Sequence, residues 1–172
     1  MAGDSRPRAG ELEQRLRELW PTVTPRSIGD EERTVVVCYS MTLDLPPPLV
    51  PALGAFEERF LCIVLTLLRS PRTRVIYVTS SPVLPRLVDY WFSLVPALDT
   101  ADARSRLLLL SPVDPRPVPL TRKVLDHPGL VERIREGIPD PSRAFLIPFV
   151  STTLEHELAH RLGIPLYGLD PA

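Results

Sequence analysis

Val75, Ile76, Tyr77 and Val78 follow one another with no polar residue between them. β-Branched and aromatic side chains suit a pleated, packed surface, so the run reads as a strand. A strand with one wet face alternates apolar and polar residues. A run that does not alternate needs cover on both faces, which is the situation of a parallel sheet held between two layers of helices. Three other runs have the same character: Thr34–Tyr39, Arg106–Leu110 and Ala144–Phe149. Together with Arg74–Thr79 they predict four buried strands, with Leu65, Val75, Ile76, Val78, Leu108, Leu109 and Ile147 in the core.

Helical patterns fill the spaces between these runs. Ala52–Leu68 reads as a long core helix whose wet side carries Glu57, Glu58 and Arg59. After Thr79, Ser80 and Ser81, Pro82 is expected to open a helix with Ser81 as its cap, and Leu84, Leu87, Val88, Trp91 and Phe92 recur at helical spacing. Thr121–Leu125 and Leu130–Glu136 read as two short helical pieces around Pro128-Gly129. Ser151–Leu162 carries a capping box, Thr152 with Glu155 three residues on, and ends at Gly163 with Pro165 beyond it. Ile164–Tyr167 can form a short fifth strand. Strands alternating with helices predict an α/β fold: a mainly parallel sheet of four to five strands with helices on both faces. Residues 1–33 read as a tail with a short amphipathic helix over Glu11–Trp20, and residues 34–172 as one α/β domain.

Composition narrows the classes. With 172 residues the chain suffices for one domain with a proper core, and a net charge of −1 gives no electrostatic reason to bind nucleic acid or an acidic membrane. The longest apolar run, Phe60–Leu68, is too short to span a bilayer, and the N-terminus lacks the apolar stretch of a signal peptide. These features predict a cytoplasmic protein. Two cysteines, Cys38 and Cys62, sit inside apolar segments and read as small buried hydrophobes. There is no GxGxxG, no GxxxxGK[ST] and no GxSxG.

Two constellations bear on chemistry. His156-Glu157-Leu158-Ala159-His160 matches HExxH on a predicted helix, where two histidines four apart can share a zinc ion and the glutamate can act as base. A catalytic site needs a third protein ligand, and after His160 only Asp170 is of that type. The match therefore reads as incidental, a solvated helix face carrying Glu155, His156, Glu157 and His160; no metal is expected, and a zinc hydrolase is the least favoured function. The second constellation is the set of hydroxyl and acidic residues that closes each strand. These are Ser40, Thr42 and Asp44, then Thr79, Ser80 and Ser81, then Ser111 and Asp114, then Ser151, Thr152 and Thr153. Open parallel sheets bind ligands just outside the carboxyl ends of their strands, where helix N-termini also point. The same residue types are needed as helix caps, so composition alone does not decide between a crevice and a set of caps.

Val75–Tyr90 (VIYVTSSPVLPRLVDY), Arg106–Ser111, Ile138–Ala144 (IPDPSRA), Phe145–Leu154 and Arg161–Pro171 (RLGIPLYGLDP) resemble the N-terminal region of ATP-grasp ligases. The sequence is similar to pheganomycin-type peptide ligases, which join a carboxylate to an amine using ATP. The resemblance runs from about Val35 to the C-terminus. It implies a Rossmann-like pre-ATP-grasp domain that packs on an ATP-grasp domain, in cis or in trans, and helps to form the substrate cleft. It also implies that ATP and magnesium are held by that second domain, expected beyond residue 172. No catalytic residue and no cofactor are then expected in this chain, which would not be a complete ligase alone. The substrate-binding candidates are Ser40, Thr42, Ser80, Ser81, Ser151 and Thr152, facing a small carboxylate or amino acid. The alternative is a free-standing small-ligand-binding α/β module that uses the same crevice.

Overall fold

The computed structural model describes residues 32–41, 52–95 and 98–167. The expected helix over Glu11–Trp20, together with Thr42, Asp44 and the triple proline Pro46–Pro48, lies outside the described residues.

Four parallel strands form one sheet: β1 (Arg33–Cys38), β2 (Thr73–Val78), β3 (Leu107–Leu110) and β4 (Ala144–Pro148). Their spatial order is β3-β2-β1-β4. The registers place Val35 beside Val75 and Phe145, and Ile76 beside Leu108. The helices are α1 (Leu53–Leu65), α2 (Pro85–Ser93), α3 (Thr100–Ser105), α4 (Leu120–Leu125), α5 (Pro128–Glu136) and α6 (Thr153–Leu162). The expected fifth strand is reduced to a single parallel bridge between Leu166 and Leu146.

Burial explains why the strands do not alternate. Val35, Val37, Val75 and Tyr77 face one core with Leu61, Val64 and Leu65 of α1 and Val88 and Phe92 of α2. Val36, Cys38, Ile76 and Val78 face a second core with Val124 of α4, Ile134 of α5 and Leu158 of α6. The chain steps from β1 to β2 to β3 in one direction, then returns past β1 to place β4. Right-handed crossovers put the helices of those two journeys on opposite faces, as observed. Leu65, Val75, Ile76 and Val78 are buried as expected, whereas Leu108, Leu109 and Ile147 are half-buried because β3 and β4 flank the central pair.

Two further expectations change. The helix after β2 opens at Pro85, not Pro82, and Leu84 precedes it in extended conformation with ψ 134°. A residue before proline is driven out of the helical region, so Leu84 cannot sit inside a helix and Ser81 cannot cap one. Glu57 is not on the wet side of its helix. It is 5% exposed, because it stands four residues before Leu61 and so shares the core-facing stripe.

Candidate functional site

The turn after β2 is held from both sides of the sheet. On α1, the Glu57 carboxylate accepts the backbone N–H of Ser80 at 2.5 Å and the Ser80 hydroxyl at 2.8 Å. On α4, Lys123 Nζ donates to the same hydroxyl oxygen at 3.0 Å. Glu57, Ser80 and Lys123 are all buried. Burial raises the Glu57 carboxyl above its ordinary value, although the Ser80 hydrogen bonds and the charge of Lys123 pull it back. The Lys123 ammonium has three N–H donors, and one is used. No carboxylate comes within ion-pair distance of it among the described residues.

Lys123 also lines a cavity of about 440 Å³. Its walls include Gly54 and Glu57 of α1, Ser80 and Ser81, Asp114 and Lys123. Leu53 lines it beside Gly54, which puts the positive end of α1 at the same wall, and no described side chain caps that end. The loop after β3 closes the other side. Its Asp114 N–H bonds to the Ser80 carbonyl at 3.2 Å, which ties loop and turn together. Asp114 also accepts Arg116 Nη2 at 2.6 Å, and Arg116 reaches Asp126 at 2.9 Å. The Arg116 hydrogen bonds hold the Asp114 carboxyl down to about 2. Val113, at φ 55°, occupies the left-handed region that a β-branched residue rarely adopts, so this loop carries strain.

A second buried polar group lies where the strand order reverses, between β1 and β4. Glu155 is 0% exposed and accepts Thr121 Oγ1 at 2.6 Å and the Thr152 N–H at 3.0 Å, with a further bond from the Thr152 hydroxyl. Thr121 N–H donates to Ser40 Oγ at 3.2 Å. Cys38 Sγ lies 3.6 Å from Thr121 Oγ1, and burial pushes its thiol up to about 12, so it stays protonated.

The sequence candidates thus divide. Ser80 belongs to the cavity wall and Ser81 lies beside it, exposed. Ser40 and Thr152 belong to the Glu155 network, and Thr152 is also the N-cap of α6 in the expected capping box. Ser151 Oγ lies 3.2 Å from His156 Nε2. In the HExxH stretch, Glu157 pairs with Arg161 at 2.5 Å and His160 is exposed, and among the described residues no three His, Cys, Asp or Glu side chains are grouped so as to hold a metal ion. Glu155, expected on the solvated face beside them, is instead buried: Leu158, Ala159 and Leu162 follow it at three, four and seven residues, on the core side.

The residues missed from sequence are Glu57, Lys123, Thr121 and Glu155. Each had a signal. Glu57 and Glu155 stand at helical spacing from core leucines, and Lys123 is the single lysine in a chain whose other basic residues are arginines. Among the described residues of the cavity wall, Lys123 is the one cation without an ion pair, since Arg116 is engaged by Asp114 and Asp126.

Comparison with known proteins follows the same outline. The family described as Pre ATP-grasp domain matches residues 76–164, from β2 to the end of α6. An L-propargylglycine–L-glutamate ligase of Streptantibioticus cattleyicolor is 37% identical over 119 residues, which take up 66% of this chain and 24% of that enzyme. The chain therefore spans about a quarter of the length of the curated relative it matches. No solved structure matches. The parallel α/β sheet, the turn and helices within residues 76–164 and the ligase relative agree, and the chain belongs to the pre-ATP-grasp domain family.

Proposed function

We propose that this domain is the noncatalytic part of an ATP-dependent carboxylate–amine ligase and forms one wall of its substrate cleft. The observation that carries the reading is the cavity at the carboxyl end of β2, where Lys123 holds two unused N–H donors beside the Glu57 carboxylate. A positive donor set and a carboxylate side by side suit a small molecule bearing both charges, such as an amino acid. Ser80 fixes the spacing of the two by bonding to both. ATP and magnesium would be handled by an ATP-grasp domain in cis or in trans, and would supply the activation of the carboxylate there. Cytoplasmic location fits this role, and no described helix is long and apolar enough to cross a membrane.

A second reading, a free-standing small-ligand module, is favoured by one feature: described residues of this domain alone wall the cavity. Calorimetric titration separates the two. The ligase reading expects no Mg-ATP binding by the chain alone in the micromolar range. It expects ATP hydrolysis that depends on an amino acid only when an ATP-grasp domain is supplied, and a loss of that hydrolysis in Lys123→Met. Saturable Mg-ATP binding by the chain alone, abolished by Ser80→Ala or Thr152→Ala, would overturn it.

A further inference from the structure

The opposite end of the sheet holds a separate cavity of about 350 Å³, at the amino ends of β1 and β2. Arg33, Arg72, Arg74, Arg106 and Arg143 line it, against the carboxylates Glu32 and Asp140. That is a local excess of positive charge in a chain whose net charge is −1.

Not all five arginines are available. Arg106 is engaged: it pairs with Asp102 at 2.6 Å and donates to the carbonyl oxygens of Leu68, Ser70 and Thr73. In doing so it occupies carbonyl oxygens between the end of α1 and the start of β2 that would otherwise repel an anion. Arg143 lies 3.6 Å from Asp140, whose carboxyl is held below its ordinary value by bonds from the Ser142 hydroxyl and amide. Arg33 and Arg74 differ from these. Arg33 uses Nε on Thr73 Oγ1 at 3.1 Å, and its Nη2 is buried with no hydrogen-bond partner among the described residues. A guanidinium nitrogen left bare inside a protein is unfavourable, and such a group calls for an explanation. Arg74 lines the cavity, is exposed and makes no hydrogen bond or ion pair among the described residues.

We propose that this cavity binds a compact oxyanion of two or more charges, a phosphoryl or polycarboxylate group gripped by the guanidinium forks of Arg33 and Arg74. Guanidinium presents paired N–H groups at the spacing of two oxygens on one centre, so it suits both chemistries. The Arg33 guanidinium, whose Nη2 has no partner among the described residues, and the exposed Arg74 supply the donors, and the carbonyls of Leu68, Ser70 and Thr73 are already taken up by Arg106. The site lies across the sheet from Lys123. Occupancy would stabilise the fold by mass action without touching the substrate wall.

The test titrates the full chain with inorganic phosphate, pyrophosphate and citrate, each against sodium chloride at matched ionic strength, by calorimetry and by thermal unfolding. The expected result is saturable binding of at least one oxyanion, weakened about tenfold or more in Arg74→Ala, whose exposed side chain can be removed without loss of folding. Arg33→Lys keeps the charge and loses the fork, so it should weaken binding too. Preference for pyrophosphate assigns a phosphoryl ligand, and preference for citrate assigns a polycarboxylate. A response no larger than that to chloride would overturn the proposal. So would binding that survives both arginine variants, or binding lost in Lys123→Met but not in Arg74→Ala.

Discussion

Lys123 Nζ and Ser80 Oγ meet at 3.0 Å, so a helix from one layer of the molecule is fixed to the turn at the end of β2. Glu57 fixes the same turn from the other layer. One serine therefore couples the two helical layers at the candidate site.

The buried Glu57 carboxyl gives that coupling a pH dependence. Burial raises its folded-state value above the ordinary one, so the folded protein holds this proton more tightly than the unfolded chain. The contribution favours folding fully at pH below the unfolded value and is lost as pH rises through the folded one. Glutamine carries no such charge and can still accept the Ser80 N–H. Urea unfolding between about pH 4 and about pH 8 should show Glu57→Gln gaining stability relative to the parent as pH rises. A constant difference would mean that Glu57 acts through hydrogen bonding alone.

Glu155 acts differently, because it serves as an acceptor for at least three donors. Glu155→Ala deprives the buried Thr121 hydroxyl and the two donors of the half-buried Thr152 of their acceptor. At about 1–3 kcal/mol for an unsatisfied buried group, partly relieved by water entering at Thr152, a loss of about 3 kcal/mol is expected. Glu155→Gln keeps one carbonyl oxygen and should lose less. Equal urea midpoints for the alanine variant and the parent would show that the network is not holding α6 to α4.

Gly137 approaches the sheet closely: a Cβ there would stand 2.9 Å from Ile76 Cδ1 and Leu108 Cδ2. Gly137→Ala should destabilise by about 1–2 kcal/mol through overpacking. Gly129, in the first turn of α5, meets nothing within 4 Å, and Gly129→Ala should stabilise by about 0.5 kcal/mol. Thermal midpoints moving in opposite directions check the pair.

The histidines of the HExxH stretch make few contacts. His160 is exposed, and His156 has its 3.2 Å contact with Ser151 Oγ. Each alanine substitution should change stability by about 0.5 kcal/mol or less. Zinc present in one-to-one amount in protein purified without added metal, and lost in either variant, would make the stretch a metal site.

Much of the fold was legible because burial on two faces leaves an unmistakable pattern. Val75–Val78 cannot be half-wet, and the capping box at Thr152 and Glu155 fixes where α6 begins. The site was less legible because two acidic residues were read by charge rather than by position. Glu57 shares a stripe with Leu61, and Glu155 with Leu158; helical spacing put both indoors before any partner was known. Their partners were not readable at all. Ser80 is 23 residues from Glu57 and 43 from Lys123, and the crossover that brings them together is a property of the whole sheet.

Asp114 closes the cavity from the loop after β3, and its pairing with Arg116 sets a second pH dependence of opposite sign. Its carboxyl is held at about 2, first by the Arg116 side-chain bonds and then by the Arg116 backbone N–H, against an ordinary value of 3.8. A lowered carboxyl contributes stability that is complete above the unfolded value and lost as pH falls through the folded one. An asparagine side chain in its place would keep an acceptor for the Arg116 N–H, now 2.9 Å from Asp114 Oδ1, but would lose the charge. Asp114→Asn should therefore be less stable than the parent near neutrality, and the two should converge as pH falls from about 4 to about 2. The Asp114 N–H to Ser80 bond is a backbone bond and survives the change, so the turn stays tied to the loop while the ion pair is removed. Thermal unfolding of both proteins across that range measures the convergence. Curves that stay parallel to the lowest pH would mean that Asp114 holds the loop by packing and neutral hydrogen bonds, and that the charge of Arg116 has no part in closing the cavity.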